Sequence, residues 1–325
     1  MSQKRMFGVA ALGAAAILAL TGCTDSGAPA PDESEGTGES IAITVGVIPI
    51  ADTAPIYLAE SEGYFDEVGL DVTIETASGG AAIVPAVVAG DYQFGFSNTQ
   101  SLMVAQSKDI DVKMVSAAVA TTGDPESDFG AIIVKGDSPV QTPADLSGKK
   151  VSSNTLGNIN DTITRAVVDA DGGDGSSIES VEVAFPDAIA AVENGQVDAA
   201  FVVEPFVSAA VAAGDRVVSY AYADFDPALD IAAYFTLGSY AASNPDVVEK
   251  FQTAMSKALE FAQKNPDAVR DIIGTYTSSD ADTLAKIVLP SWPVQINEAA
   301  QKKLAAAAVT YGSLPAEPDW DALLP

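Results

Sequence analysis

Residues 41–61 have the sequence IAITVGVIPIADTAPIYLAES, in which a strand, a loop and a helix follow one another directly. Residues 41–47 alternate and are rich in β-branched side chains, which predicts a strand. Residues 56–61 predict a helix, and residues 70–74 predict the next strand. Strands that alternate with helices are typical of a parallel α/β sheet.

The same alternation continues along the chain and predicts two similar units. The first unit continues with a helix and two strands, at 81–89, 92–96 and 112–119. The second unit begins near Phe129, with predicted strands at 150–152, 181–183 and 198–203 and helices at 142–146, 161–169, 186–194 and 205–213. A weak internal repeat links the units, because Ala86-Val87, Gly90 and Phe96 recur as Ala191-Val192, Gly195 and Phe201. A repeat of this kind indicates two lobes built on one plan.

Two apolar strands are candidates for carrying the chain between the lobes, one at 131–134 and one at 231–237. The remainder predicts helices at 246–264, 266–275, 280–288 and 297–311, packed on the first lobe. We therefore predict an α/β protein with a ligand cleft between two lobes, namely lobe 1 at 41–128, lobe 2 at 129–235 and a helical return to lobe 1 at 236–325.

Composition excludes several classes of function. The 325 residues contain 45 Asp and Glu against 16 Lys and Arg, a net charge of −29, which argues against binding to a nucleic-acid backbone. The chain has no histidine, so Ser-His-Asp and Cys-His catalysis and imidazole metal sites are excluded. Its single cysteine can form neither an internal disulfide nor a thiolate cluster. We expect no catalytic residue, no metal and no cofactor.

The N-terminal residues predict export and a lipid anchor. Lys4 and Arg5 precede an apolar run at 7–20 that is too short for a typical transmembrane helix. The run leads into Leu20-Thr21-Gly22-Cys23, which resembles a bacterial lipobox. We predict a signal peptide at 1–22, lipid attachment at Cys23 and a flexible tether at 23–40, so that the folded part lies outside the cytoplasm at a membrane. The alternative is a stray thiol behind an ordinary secretory signal.

Candidate ligand-binding residues follow the carboxyl ends of the predicted strands, where open α/β sheets bind their ligands. In lobe 1 the loops after the first three strands contribute Asp52, Thr53, Ala54, Tyr57, Ser78, Gly79, Gly80, Ser97, Asn98 and Thr99. In lobe 2 the candidates are Asn154, Thr155, Gly157, Asn158, Asn160, Glu204 and Pro205.

Each group of candidates also has a purely structural interpretation. Gly79 and Gly80 could form only a turn, and Asn158 and Asn160 could serve only as helix caps. Glu204 could contact the ligand, join the lobes or face solvent. These alternatives stay open at the level of sequence.

Several blocks resemble solute-binding proteins of nitrate-, sulfonate- and taurine-type ABC importers, a family that also contains binders of pyrimidine precursors. The blocks lie at 47–59, 62–65, 69–72, 88–91, 146–151, 194–199 and 204–205. The resemblance implies a periplasmic-binding fold of the double-crossover type (type II), acting as a monomer that delivers a small solute to a membrane permease and its ATPase.

Two other functions on the same fold stay open. The first is a receptor that presents its ligand to a sensor instead of a transporter. The second is an exported enzyme, although the pyrimidine-precursor synthases that resemble this fold use a histidine and a cysteine cluster that this chain lacks.

The candidate loops favour a neutral or nitrogen-bearing solute over a small oxyanion. None of the arginines that follow Cys23 lies in them, whereas Asp52 and Glu204 would repel an anion.

Overall fold

The structure, a computed structural model, describes residues 40–325, with Ala81 described by its backbone alone. The predicted signal peptide, the lipidated Cys23 and the tether up to residue 39 lie outside the described residues. No helix within 40–325 combines the length and the apolar character that crossing a membrane requires.

Strands and helices alternate much as the sequence predicts. The strands are β1 Ile41–Val47, β2 Leu70–Thr76, β3 Phe94–Asn98, β4 Val112–Ala120, β5 Gly130–Val134, β6 Lys150–Ser153, β7 Glu179–Glu182, β8 Ala199–Val203, β9 Arg216–Ser219 and β10 Asp230–Leu237. The helices are α1 Ala54–Ser61, α2 Tyr64–Glu67, α3 Gly80–Ala89, α4 Thr99–Gln106, α5 Ile159–Ala170, α6 Phe185–Glu193, α7 Phe206–Ala213, α8 Ala221–Phe225, α9 Gly238–Ser243, α10 Pro245–Lys264, α11 Pro266–Tyr276, α12 Ala281–Leu284, α13 Glu298–Thr310 and α14 Trp320–Leu323. Short 3-10 turns lie at Ala51–Thr53, Pro143–Leu146 and Gly175–Ser177.

Within residues 40–325 the strands form two five-stranded sheets. The first has the order β2-β1-β3-β10-β4 and the second the order β7-β6-β8-β5-β9. In each sheet the fourth strand is antiparallel to its neighbours, and this strand follows directly from the other sheet along the chain. The predicted double crossover is therefore confirmed.

The internal repeat corresponds to equivalent places in the two sheets. Gly90 directly follows α3 and Gly195 lies two residues after the end of α6. Both have positive φ (83° and 67°), a conformation that glycine adopts without steric cost. The strands that follow, β3 and β8, each occupy the third position of their sheet. The prediction of two lobes on one plan is thus borne out by the strand order.

The return to the first sheet comes earlier than the sequence suggests. We predicted that lobe 2 extends to residue 235, but β10 pairs with the first sheet from Asp230 onward. The reason is that Asp230 lies opposite Ala120 of β4, so residues 230–235 already belong to the first sheet. The chain passes between the sheets at 121–129 and at 220–229.

Three other differences concern single elements. The third strand covers 94–98 instead of 92–96, because Val45 of β1 pairs with Phe94. β9 at Arg216–Ser219 was not predicted. The helix predicted at 280–288 ends at Leu284, and the chain then runs on to form a bridge between Ser291 and Ala120.

The C-terminal helices pack mainly on the first sheet and its helices. α10 buries Phe251, Met255, Ala258 and Leu259, spaced as one helix face requires. The Phe251 ring stacks on Phe94 of β3 with 4.2 Å between ring centroids. α13 also contacts the second lobe. Just beyond its C-terminal end, Ser313 forms a hydrogen bond with Thr162 of α5, and the Tyr311 hydroxyl donates to Asp169 of α5.

We predict that Gly130→Ala destabilises the fold. A Cβ at this first residue of β5 would overlap the buried ring of Tyr222, and overpacking a core costs about 1–3 kcal/mol. Urea unfolding followed by circular dichroism should show a lower midpoint than the wild type. An unchanged midpoint would mean that the Tyr222 ring moves aside freely, contrary to its packing.

Candidate functional site

A small cavity lies between the two sheets, at the carboxyl ends of β1, β3, β6 and β8. Its volume is about 30 Å³, which is space for about two water molecules. Both lobes contribute side chains to its wall: Ile48, Ile50, Asp52, Phe96, Asn98, Ile231 and Ala232 from the first, and Asn154, Asn158, Ile159, Asn160, Phe185, Val203 and Tyr222 from the second. The position agrees with the rule that open α/β sheets bind ligands beyond their strands.

Asp52 is the only ionisable carboxyl group on this wall among the residues that the structure describes. It lies in the 3-10 turn after β1 and is 3% exposed, and its Oδ1 is buried without a hydrogen-bond partner. The pKa of Asp52 is raised to about 7, mainly by burial and to a smaller extent by the nearby Asp128, while a hydrogen bond from its own backbone N–H acts in the opposite direction. A carboxyl group that is buried and unpaired is costly for the protein, so a donor from a bound molecule would relieve this cost.

Three asparagines form a hydrogen-bonded cluster on the opposite wall. Asn154 Oδ1 accepts from Asn158 Nδ2 at 2.7 Å and from Asn160 Nδ2 at 3.1 Å. Asn158 Oδ1 in turn accepts from the backbone N–H groups of Asn160 and Asp161, which caps α5. Tyr222 donates its hydroxyl to Asn160 Oδ1 at 2.6 Å. Asn158 therefore both caps α5 and lines the polar cavity, so the two interpretations of this residue do not exclude each other.

A second, apolar cavity of about 90 Å³ adjoins the first and shares Ile48, Ile50 and Phe185 with it. Phe206 also lines it, and its ring lies 6.2 Å from the Phe185 ring in a stacked arrangement. Of the predicted residues, only Ser78 belongs to this wall. We call this space the apolar annex.

Several predicted residues of the first lobe lie away from both cavities. Thr53 donates its hydroxyl to the carbonyl groups of Ile48 and Ile50, so it stabilises the loop itself. Ala54 is buried in the first turn of α1, and Tyr57 stacks on Tyr276 with 3.9 Å between ring centroids. Asn98 lines the polar cavity, whereas Ser97 is buried elsewhere because alternate strand residues face opposite sides. Thr99, the first residue of α4, is also buried outside both cavities.

The glycine loop of the first lobe meets the second lobe. A Cβ on Gly79 would lie 3.6 Å from Thr155 Oγ1, so the loops of the two lobes are close to contact there. A Cβ on Gly80 would lie 2.6 Å from Ser97 Oγ, so any larger residue there would displace this hydroxyl. Gly157 accepts a hydrogen bond at its carbonyl oxygen from Gln100 of α4, at 2.9 Å, which also joins the lobes.

Glu204 joins the lobes and does not line either cavity. Its carboxylate accepts hydrogen bonds from the Ser208 N–H and hydroxyl groups and from the Val288 N–H. Its carbonyl oxygen accepts from the N–H of Ala51, and the peptide bond to Pro205 is cis. Of the three interpretations left open for Glu204, the structure favours the contact between lobes.

Sequence reasoning missed Phe185 and Tyr222. Phe185 follows β7 and begins α6, so the same carboxyl-end rule could have identified it if applied to that short strand. Tyr222 lies in the second connection between the sheets, and no local pattern marks it. Its place in the wall results from how the chain crosses between the lobes.

We predict that Asp52→Asn stabilises the protein more at pH 8 than at pH 5. The folded-state pKa of about 7 exceeds the usual 3.8, so ionisation of Asp52 weakens the folded state as pH rises between these values. The gain at pH 8 is at most about 4 kcal/mol, at about 1.4 kcal/mol per pKa unit. Melting curves of both proteins at both pH values measure it, and equal differences at pH 5 and pH 8 would contradict an Asp52 that titrates in this range.

Comparison with known proteins agrees with this geometry. The chain is 25% identical over 265 residues to the formylaminopyrimidine-binding protein of Halalkalibacterium halodurans, covering 80% of this chain and 76% of that one. It is 26% identical over 227 residues to the taurine-binding periplasmic protein of Escherichia coli, covering 70% and 68%. The fold matches the ligand-binding component of an ABC-type import system from Staphylococcus aureus, solved with zinc bound, at a TM-score of 0.77 and 13% identity, covering 88% of this chain and 97% of that one.

The family described as "NMT1/THI5 like" matches residues 50–269, which contain both crossovers and every residue of the polar cavity wall except Ile48. This match spans more than half of the chain. The protein therefore belongs to the NMT1/THI5-like family.

Proposed function

We propose that this protein is the extracytoplasmic solute-binding component of an ABC importer. The observation that carries the proposal is the cavity between two lobes, with the buried carboxyl group of Asp52 in its wall, whose Oδ1 has no hydrogen-bond partner among the described residues. Such a group is arranged to accept hydrogen bonds from a molecule that enters the cavity. Relatives named as binding proteins support binding without catalysis.

The proposed solute is a small molecule with N–H groups. Asp52 would accept hydrogen bonds from it, and Asn154 would face it from the other lobe. The apolar annex beside Phe185 and Phe206 would hold a short apolar part. Asn98, Asn158 and Asn160 would line the polar cavity without using their Oδ1 atoms. Those of Asn98 and Asn158 already accept from the N–H groups of Ser101 and Asp161, and that of Asn160 from the Tyr222 hydroxyl.

Binding would require the lobes to separate and close again. A cavity of about 30 Å³ is far smaller than the usual ligand pocket of about 300 Å³ or more. The two connections at 121–129 and 220–229 are the natural hinges, because no other backbone segments of the two sheets link them. Release of the interlobe bonds at Glu204 and Gly157 would accompany opening.

The experiment is a thermal-shift screen of solutes, followed by small-angle scattering with the best one. A ligand that binds only the folded state raises the melting temperature. We expect one class of solute to do so, and the radius of gyration to decrease on saturation as the lobes close. A radius that stays constant at saturation would contradict closure, and a screen of sulfonates, nitrate, carboxylates, amines, amino acids and pyrimidines without any shift would contradict the binding function.

The lipid anchor would place this binding protein at the membrane, beside its permease and ATPase. Cys23 is the single cysteine of the chain and follows a lipobox-like sequence.

We predict that a labelled fatty acid is incorporated into the wild type and not into Cys23→Ala. Growth of expressing cells with the labelled acid, followed by purification, measures this. Ser26→Ala, three residues further on, is the matched control and should keep the label. Equal label in the wild type and in the Cys23 variant would contradict the anchor.

A further inference from the structure

Negative groups around the polar cavity have no positive partner within residues 40–325. Asp128 is fully buried near Asp52 and accepts hydrogen bonds from Thr121, Thr122 and Phe129. No lysine or arginine of these residues lines either cavity or forms an ion pair with Asp52 or Asp128.

The arginines of the same part of the chain are engaged elsewhere. Arg165 binds Asp161 and Ser180, Arg216 binds backbone carbonyl groups, and Arg270 lies next to Asp267. An anion in the cavity would therefore meet two buried carboxyl groups without a compensating cation. In a medium of low polarity this repulsion is strong.

Helix N-termini are the usual alternative for holding an anion. At the polar cavity those of α4 and α5 are already occupied by side-chain caps, whereas α3, which begins near Asn154 with Gly79 as its N-cap, has no such cap among the described residues. Asn98 caps α4 by accepting from the Ser101 N–H, and Asn158 caps α5 in the same way. α6 begins at the annex with Phe185 and Pro186, and the proline has no N–H to offer. The N-terminal N–H groups of α4 and α5 are therefore bound by side-chain caps, and the start of α6 is covered by apolar residues.

Aromatic rings complete the wall. Phe96, Phe185 and Tyr222 all line the polar cavity, together with Asp52. The face of an aromatic ring attracts a cation, and this attraction is larger where water is excluded. A buried carboxyl group beside several rings is an environment suited to an organic cation.

We infer that the solute is a monovalent organic cation with N–H donors, such as a protonated amine, an amidine or a guanidine, with its charged group at Asp52 and an apolar part in the annex. This inference rests on the proposed function. It narrows the nitrogen-bearing solutes to those with a positive charge, and it sets this cleft apart from one that selects oxyanions.

Binding of such a cation should depend on pH. The titratable groups near Asp52 are Asp128 from the first connection, Tyr222 from the second, and Tyr234 and Tyr276 from the first lobe, with Tyr57 beside these last two. Burial keeps the pKa of these tyrosines above 10, so they stay neutral between pH 5 and pH 8. Asp52 must lose its proton to pair with a cation, so binding should weaken as pH falls below about 7.

The test uses three probes of one shape and three charges, namely benzamidine, benzamide and benzoate, titrated by calorimetry at pH 8. Each places a flat ring next to a planar polar group, so charge is the main variable. We expect benzamidine to bind at least tenfold more tightly than benzamide, and benzoate to give no binding heat. Benzamidine stays protonated down to pH 5, where its affinity should fall at least tenfold because Asp52 becomes neutral.

Two variants test whether the preference for benzamidine depends on the carboxyl group of Asp52. Asp52→Asn should reduce the preference for benzamidine over benzamide to within about threefold. Asp215→Asn is the matched control, since it removes another buried carboxyl group, one that lies outside both cavities, and it should bind benzamidine like the wild type. Melting curves establish that both variants are folded.

Two outcomes would overturn the inference. The first is a benzamidine titration without binding, and the second is tighter binding of benzoate or taurine, above all if Asp52→Asn improves it. In the second case the solute-binding function stands and only the charge of the solute is wrong. The function itself is decided separately, by the solute screen and the scattering experiment.

Discussion

The exchange of one strand between the two sheets is the constraint on which the rest of the structure depends. β5 and β10 each run antiparallel within a sheet that they enter from the other one. Two short backbone connections therefore join the lobes, and the carboxyl ends of both sets of parallel strands face one gap. The cavity, the hinges and the contacts between the lobes all follow from this arrangement.

Some polar groups around the gap are hydrogen-bonded within residues 40–325, and others have no hydrogen-bond partner there. Glu204, Asn98, Asn158 and Asp128 bind backbone N–H groups and thereby hold helix starts, connections and lobes in place. Asp52 differs from them because its Oδ1 is buried and has no partner. Since an unpaired buried carboxyl group costs stability, its retention in the wall of a cavity argues for a role in binding.

Candidate site residues could be predicted where their position follows from the order of strands and helices along the chain. They could not be predicted where their position depends on tertiary packing. Asp52, Asn98, Asn154, Asn158 and Asn160 were found because each directly follows a strand or begins a helix at the carboxyl edge. Ser97 shares that edge but faces away, since strand residues alternate between faces. Thr53 and Glu204 have side chains suited to ligands, yet nearby backbone groups already occupy them.

The sequence by itself determined the alternation of strands and helices, the two similar lobes and the acidic, histidine-free composition, because these depend on residue order and content alone. Only the tertiary structure decided that β10 joins the first sheet at Asp230, that Phe185 and Tyr222 reach the cavity, and that the carboxyl group of Glu204 points away from it. Strand register, side-chain direction and the pairing of distant polar groups depend on which segments meet. That information belongs to the packing of the whole chain and to no single stretch of it.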